Sequence, residues 1–221
     1  MPTRTAPDLL QIIKKVPRVA AAPGATLELL ALSARDTHCA GVDLASGALV
    51  RTWAPGPSNL EVRCYDVVRV TLDQDFDDVP DPHEPEALVL AAPPEPVRRL
   101  AGRRVERMLR RLLHPQGQPL LGESSSVVPF WERRPDRPSI AVVEPEGPIS
   151  LWREGPYLAC RFGWLGHERE LPCVDAHLAS LMDRSRRRHL VADRGDRLLV
   201  ALTPPIDGRC HKVVETVLPR P

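Results

Sequence analysis

The chain has 221 residues and a formal net charge of +1, so any nucleic-acid site has to rest on a local basic patch rather than on overall charge. Its 25 prolines against 13 glycines favour short strands and rigid loops over long helices. Five widely spaced cysteines without a Cys-x-x-Cys pair indicate neither a disulfide framework nor a zinc ribbon. We therefore expect a cytoplasmic protein that uses no metal and no cofactor, and that has no apolar run long enough to span a membrane.

Residues 1–25 are predicted to form an N-terminal arm, in which Asp8 caps a short amphipathic turn over 9–16. Residues 26–96 then show strand-like alternation and form a first β-rich unit. Its candidate strands are 27–33, 39–44, 48–53, 66–72 and 87–91. The stretch 73–86 carries seven acidic residues and three prolines, which predicts a solvated acidic loop.

Residues 97–138 are predicted to combine a helix with a Pro/Ser-rich connector. Apolar residues recur at helical spacing on one face of this helix, and arginines lie largely on the other. The apolar set is Ala101, Val105, Met108, Leu109 and Leu112, and the basic set is Arg99, Arg103, Arg107 and Arg110. In the connector, Phe130-Trp131 is expected to anchor the chain onto one of the units.

Residues 139–221 are predicted to form a second β-rich unit. Its candidate strands are 139–143, 149–153, 157–162, 168–171, 197–203 and 209–218. A short helix over 175–186, with Asp175 as its N-cap, precedes the last two strands.

Roughly five short strands with one helix is the make-up of a small Greek-key barrel of the oligonucleotide-binding (OB) type. We predict a mainly β fold with minor α content, in which two small OB-like β-barrels in tandem are joined by an amphipathic Arg-rich helix. The pattern leaves open whether the two barrels share one core.

Five short segments carry a family resemblance. They are 29–33 with Cys39-Ala40-Gly41-Val42-Asp43, the 47–53 segment with Val50-Arg51, the 65–72 strand, His83-Glu84, and the 198–217 hairpin with His211-Lys212-Val213-Val214. On these segments the chain resembles the dual OB-containing family of bacterial proteins. Leu49, Thr52 and Pro85 depart from it, since the family tends to place Trp, Pro and Asn there. The resemblance implies two tandem barrels and a nucleic-acid or ligand-sensing module that accompanies other proteins, without a catalytic residue set.

Two basic clusters are candidate phosphate contacts. The stretch 98–111 holds seven arginines and one glutamate, a local charge of +6, and such a helix can align guanidinium groups along a phosphate backbone. The second cluster is Arg184, Arg186, Arg187 and Arg188, which can equally cap the C-terminus of the preceding helix. The alternative for the first cluster is the solvated face of a linker helix.

Aromatic residues offer a second signal, because barrels that bind single strands stack bases on exposed rings. Trp53, Tyr65, Trp152, Tyr157 and Phe162 are interleaved with Arg51, Arg69, Arg153 and Arg161. The alternative is that these few rings fill the two cores.

The leading hypothesis is a non-catalytic binding module that engages single-stranded nucleic acid. Its candidate contacts are Arg51, Arg99, Arg103, Arg107, Arg110, Lys212 and Trp53. The alternative is a protein-interaction or accessory subunit of a bacterial multi-protein system. A third reading is an uncharacterised hydrolase that uses His83 and the acidic loop, although no glycine-rich phosphate loop or Gly-x-Ser-x-Gly elbow is present.

Overall fold

The computed structural model of the chain describes residue 19 and residues 21–35, 37–55, 62–75 and 84–221. Six strands belong to a first sheet: β1 (Thr26–Arg35), β2 (His38–Asp43), β3 (Leu49–Trp53), β4 (Asp66–Thr71), β5 (Ala87–Val89) and β6 (Glu95–Arg99). Eight follow in or beside a second sheet: β7 (Val127–Pro129), β8 (Ile140–Val143), β9 (Glu146–Glu154), β10 (Tyr157–Trp164), β11 (His167–Cys173), β12 (His189–Val191), β13 (Arg197–Leu202) and β14 (Arg209–Leu218). The α-helices of the described residues are α1 (Arg103–Leu112) and α2 (Ala176–Arg184).

The first sheet has the strand order β5-β3-β2-β1-β4-β6, and the second has the order β12-β9-β10-β11-β14-β13-β8. In each, a three-stranded meander is followed by a parallel pairing, β3 with β5 and β11 with β14. A bridge between Leu72 and Leu90 brings the ends of β4 and β5 together, and β8 runs on into β9 after two residues. Both sheets therefore curl, but neither is a closed barrel.

Three apolar cores form because successive side chains of a strand point to opposite faces. The first inner core lies under the first sheet and includes Leu29 and Val68, and the second inner core lies under the second sheet and includes Phe162. A third, shared core joins residues of both sheets. Its members are Leu30, Leu32, Ala40, Val42, Leu49, Tyr65, Val67, Val105, Leu109, Ile140, Val142, Leu199, Ala201 and Leu218. The two sheets thus pack on each other, and strands such as β1 and β13 are buried on both faces, which explains their continuous apolar sequences.

The predicted mainly β composition with minor α content and two β-rich regions is confirmed. The terminal strand β14 has the predicted bounds, and Asp175 caps α2 by accepting a hydrogen bond from the Leu178 amide at 2.9 Å. Three short strands were not predicted, namely β6, β7 and β12, because their sequences lack period-2 alternation and they form by pairing with longer strands. The predicted turn over 9–16 and most of the acidic loop, including His83, lie outside the described residues. No helix in the described part of the chain is both long and apolar enough to cross a membrane.

Candidate nucleic-acid interface

Helix α1 packs against the shared core through one apolar side. Val105 and Leu109 are fully buried, and Met108 and Leu112 pack beside them. These positions are three or four residues apart and share one face of the helix, so the arginines are directed outward. The exposed arginines of α1 are Arg103, Arg104, Arg107, Arg110 and Arg111.

The one acidic residue of α1, Glu106, is held by a residue of the second sheet. Its carboxylate accepts hydrogen bonds from the buried Arg197 guanidinium at 2.8 and 2.9 Å, and from Arg110 Nε at 2.6 Å. The bond from Arg197, followed by that from Arg110, lowers the pKa of Glu106 to about 2. The only negative charge of the helix is therefore paired with Arg197 and Arg110, and it does not neutralise the other arginines of α1.

Four arginines of α1 remain without a counter-charge. Within the described residues, no carboxylate lies within ion-pair distance of Arg103, Arg104, Arg107 or Arg111. Arg103, Arg107 and Arg111 follow one another at four-residue intervals, about 6 Å apart along the helix axis. We call these four residues the arginine face, and it is a row of guanidinium groups of the kind that suits a phosphate backbone.

Arg98 and Arg99 are not part of the helix, contrary to the predicted start. They lie in β6, which pairs with β4, and Gly102 at φ 63° separates that strand from α1. Strand pairing and the left-handed glycine end the helical pattern here. Arg98 pairs with Glu28 at 2.7 Å and Arg99 with Asp66 at 3.4 Å, so both charges are compensated.

Arg51 is buried between the two sheets rather than exposed in a groove. It retains 3% of its surface, and Nη1 lies 3.0 Å from Glu84 Oε1. Its Nη2 lies 3.4 Å from Glu215 Oε1, and Nη1 donates to the Leu202 carbonyl at 3.1 Å. A guanidinium in this position has no surface open to phosphate, so Arg51 does not belong to the candidate interface.

The acidic residues next to Arg51 do not lie in a solvated loop, contrary to the prediction for 73–86. Glu84 and Glu86 were expected in a solvated loop, but both are buried. Glu86 accepts hydrogen bonds from the Ser139 amide at 2.9 Å and from its hydroxyl at 2.7 Å, and burial raises the pKa of this carboxyl. Sequence reasoning missed these roles because local acidity indicates solvation, whereas the partners are distant in sequence: Glu84 contacts Arg51 and Trp53 of β3, and Glu86 contacts Ser139.

Trp53 is a structural residue. Its indole N–H donates to Glu84 Oε2 at 3.0 Å, and its ring lies 4.8 Å from that of His38 between centroids. Burial, together with the nearby Arg51 and Arg35, lowers the pKa of His38 to about 4 despite Glu215. These contacts hold the ring and its N–H within the fold, so Trp53 does not form a platform for a base.

Lys212 is also buried, with 3% of its surface exposed. Its side chain lies on the inner side of β14, where Nζ donates to the Glu123 carbonyl, and it lines a small cavity. Burial, with Arg169 and Arg133 nearby, lowers the pKa of Lys212 to about 8. Lys212 therefore does not belong to the surface formed by α1.

The second sheet displays the exposed part of the aromatic pattern. Paired register places Trp152, Tyr157 and Arg161 on one outer face, with Ala159 between them. Arg161 lies over the Trp152 ring at 4.7 Å, and Tyr157 is 74% exposed. Tyr65 and Phe162, by contrast, are buried core residues, as the alternative reading expected.

The second arginine cluster follows α2. The amide of Arg187 donates to the Met182 carbonyl at 3.0 Å, which closes the end of the helix. The side chains line a pocket of about 510 Å³ with Arg153, which pairs with Asp183. The pocket-lining arginines of this cluster are Arg186, Arg187 and Arg188.

The thiols and the metal-ligating side chains of the described residues were also candidates for chemistry in the sequence. All five cysteines are free thiols, and burial raises the pKa of Cys39, Cys64 and Cys173 to about 12, so these thiols are protonated at neutral pH. No group of three or more His, Cys, Asp or Glu residues in the described ranges is arranged to hold a metal ion.

Comparison with known proteins does not identify the chain. No protein-family model matches it, and no curated protein matches it. Among solved structures it is similar to the one titled "Crystal structure of the tetrameric p202 HIN2", with a TM-score of 0.37 and 10% sequence identity over 92% of this chain and 99% of that one. Similarity at this level assigns neither a family nor a function.

Proposed function

We propose that this chain is a non-catalytic binding module of the cytoplasm that contacts nucleic acid through the arginine face of α1. The observation that carries the proposal is that the carboxylate of Glu106 pairs with the buried Arg197. Four exposed arginines of α1 therefore have no counter-charge within the described residues. Uncompensated guanidinium groups on a rigid helix bind phosphate with little reorganisation. A merely solvated helix needs no such excess of one charge.

We further propose that the two units are of the OB type. The order β1-β2-β3-β5-β4, with β3 parallel to β5, supports this for the first unit. For the second unit, the spatial order β9-β10-β11-β14-β13 supports it, as does the position of α2 along the chain between β11 and β13. A partly open Greek-key barrel of five strands is the OB architecture, whose sheet face and loops bind oligonucleotides.

The test is fluorescence anisotropy with labelled single-stranded and duplex DNA and RNA at low and near-physiological salt. The variant is Arg103→Gln/Arg107→Gln/Arg111→Gln, which removes three charges without disturbing a buried contact. We expect binding that weakens with salt, an affinity at least tenfold lower in the variant, and a shallower salt dependence, by up to about one unit of slope for each lost phosphate contact.

A matched control separates position from total charge. Arg134→Gln/Arg194→Gln/Arg209→Gln removes the same number of exposed arginines elsewhere in the fold. We expect this control to retain most of the affinity. Absence of binding at low salt, or an equal loss in both variants, contradicts the assignment to α1.

A second candidate function, protein docking, is favoured by an exposed apolar pair. Trp131, predicted as an anchor, is instead 73% exposed, and the turn that it contacts at Gly208 also carries Ile206, which is 56% exposed. Exposed tryptophan is typical of the centre of a protein interface. If this surface docks a partner, nuclease-treated extract will yield a complex that Trp131→Ser abolishes and Tyr157→Ser leaves intact.

A further inference from the structure

The cavity beside Lys212 is lined by two cations, Lys212 and Arg169, and by three glutamates that pair with other arginines. It has a volume of about 220 Å³ and is lined by Lys212 of β14, Arg169 of β11 and the loop Ser124-Ser125-Ser126. Within the described residues, neither Lys212 nor Arg169 takes part in an ion pair. Two like charges facing one cavity are costly unless an anion lies between them.

Part of the hydrogen-bonding capacity of Lys212 and Arg169 is also unused. Lys212 Nζ carries three donors, of which the Glu123 carbonyl takes one. Arg169 Nε is buried and has no hydrogen-bond partner. Near Lys212, the buried Arg133 has no hydrogen-bond partner for Nε and Nη1. Burial lowers the pKa of Arg133, and the nearby carboxylates of Glu86 and Asp136 act in the opposite direction. Buried unsatisfied donors of this kind are rare in folded proteins and point to a bound group.

The acidic residues that line the cavity form no ion pair with Lys212 or Arg169. Glu123 is paired with Arg137, and both Glu168 and Glu170 are paired with Arg161 on the outer face at 3.2 Å. The serine loop is fixed on the third side of the cavity, because the Lys212 amide donates to the Ser126 carbonyl at 2.9 Å. Donors therefore surround the cavity from β11, β14 and this loop.

We propose that this cavity is a binding site for a tetrahedral oxyanion of the phosphate class, either free phosphate or the terminal phosphate of a monoester. Lys212 supplies a point charge, Arg169 supplies directed N–H donors, and the serine hydroxyls are available for the remaining oxygens. The site is separate from the arginine face of α1, and the proposal does not depend on nucleic-acid binding by that face.

The test measures binding of sodium phosphate by calorimetry and by thermal unfolding, against sodium chloride at matched ionic strength. We expect the melting temperature of the wild type to rise with phosphate concentration. Lys212→Met and Arg169→Gln are each expected to lower phosphate affinity at least tenfold. Arg194→Gln, which removes an exposed charge in the turn before β13, is expected to leave phosphate affinity unchanged.

Stability without ligand gives a second readout. Because the Lys212 charge is buried without a counter-ion, we expect Lys212→Met to melt at or above the wild-type temperature in phosphate-free buffer. If Lys212→Met fails to fold, Arg169→Gln carries the binding test alone.

Adenosine monophosphate and a 5′-phosphorylated oligonucleotide, compared with adenosine and the 5′-hydroxyl oligonucleotide, distinguish the sources of the anion. Binding of phosphate alone assigns a free-anion site, and binding of the monoesters as well assigns a terminal-phosphate site. The proposal is overturned if the wild type shows no response to phosphate. It is also overturned if Lys212→Met and Arg169→Gln respond to phosphate as strongly as the wild type, which leaves an ionic-strength effect only.

Discussion

Arg51 Nη2 lies 3.4 Å from Glu215 Oε1, although the two residues are 164 positions apart and belong to different sheets. Glu215 also accepts a hydrogen bond from the Ser33 hydroxyl at 3.0 Å. Together with Glu84, these residues form a buried ionic cluster at the junction of the two units. The units are thus joined by charge as well as by the shared core.

Replacing Arg51 is therefore expected to destabilise the whole chain. Arg51→Met leaves Glu84 and Glu215 buried without their counter-charge, and removal of one partner of a buried pair costs about 3–5 kcal/mol. Urea unfolding measures the change. Arg69→Met, on the exposed side of β4, is the control and is expected to alter stability by about 0.5 kcal/mol or less. Equal stability of the two variants contradicts the role assigned to Arg51.

The second prediction concerns pH and His38. The pKa of His38 is about 4 in the folded chain and 6.5 in its ordinary state, so the unfolded chain binds more protons between these values. His38 therefore contributes a term to the unfolding free energy that rises with pH from about 4 to 6.5. His38→Gln is expected to flatten this slope, measured by urea unfolding at several pH values. An unchanged slope counts against burial of a neutral imidazole.

The third prediction tests how α1 is fixed. Glu106→Gln removes the charge that receives two hydrogen bonds from Arg197 and leaves Arg197 with Glu144 at 3.4 Å. Charged hydrogen bonds of this kind contribute about 1.5–3 kcal/mol, and we expect a loss of about 2 kcal/mol in urea unfolding at pH 7. Because the folded pKa of Glu106 is about 2, this stabilisation is present above pH 4.5 and is lost as the pH falls towards 2. The exposed Glu132→Gln serves as the control, and a comparable loss there argues against a specific role for Glu106.

The fourth prediction concerns Gly163, at the irregularity in the pairing of β9 with β10. A Cβ added here would lie 2.3 Å from the carbonyl oxygen of Glu146, so the backbone has to move. We expect Gly163→Ala to cost about 1–3 kcal/mol, as measured by thermal unfolding. Gly155→Asn is the comparison, since φ there is 59° with open space around it and asparagine tolerates that conformation. The prediction fails if both substitutions are equally mild.

The fifth prediction concerns alkaline pH and Lys212. The pKa of this lysine is about 8 when folded and 10.5 in its ordinary state, so the unfolded chain binds more protons in that interval. The term from Lys212 therefore raises stability as the pH increases from about 8 to 10.5 in phosphate-free buffer. Lys212→Met is expected to remove this rise, measured by chemical unfolding across the interval. A rise that persists in the variant must come from other groups.

The sequence by itself determined the elements whose signals are local. The period-2 alternation located the main strands, the terminal strand β14 has its predicted bounds, and Asp175 was correctly read as the cap of α2. The outward position of Arg103 and Arg107 also followed from helical spacing alone. Such features depend on residues within one turn or one strand, so a single sequence contains them.

Only the tertiary structure decided which charged residues remain at the surface. Glu84 and Arg51 look like surface residues in the sequence, and Lys212 looks like one more basic contact, yet all three are buried. Their partners are distant in sequence: Arg51 contacts Glu84 and Glu215, and Lys212 contacts the Glu123 carbonyl in the connector. No local pattern records such separations. A charge is buried at low cost only where the assembled fold supplies a counter-charge, hydrogen bonds or, as proposed for Lys212, a site for an anion. These surroundings exist only once both units have packed together.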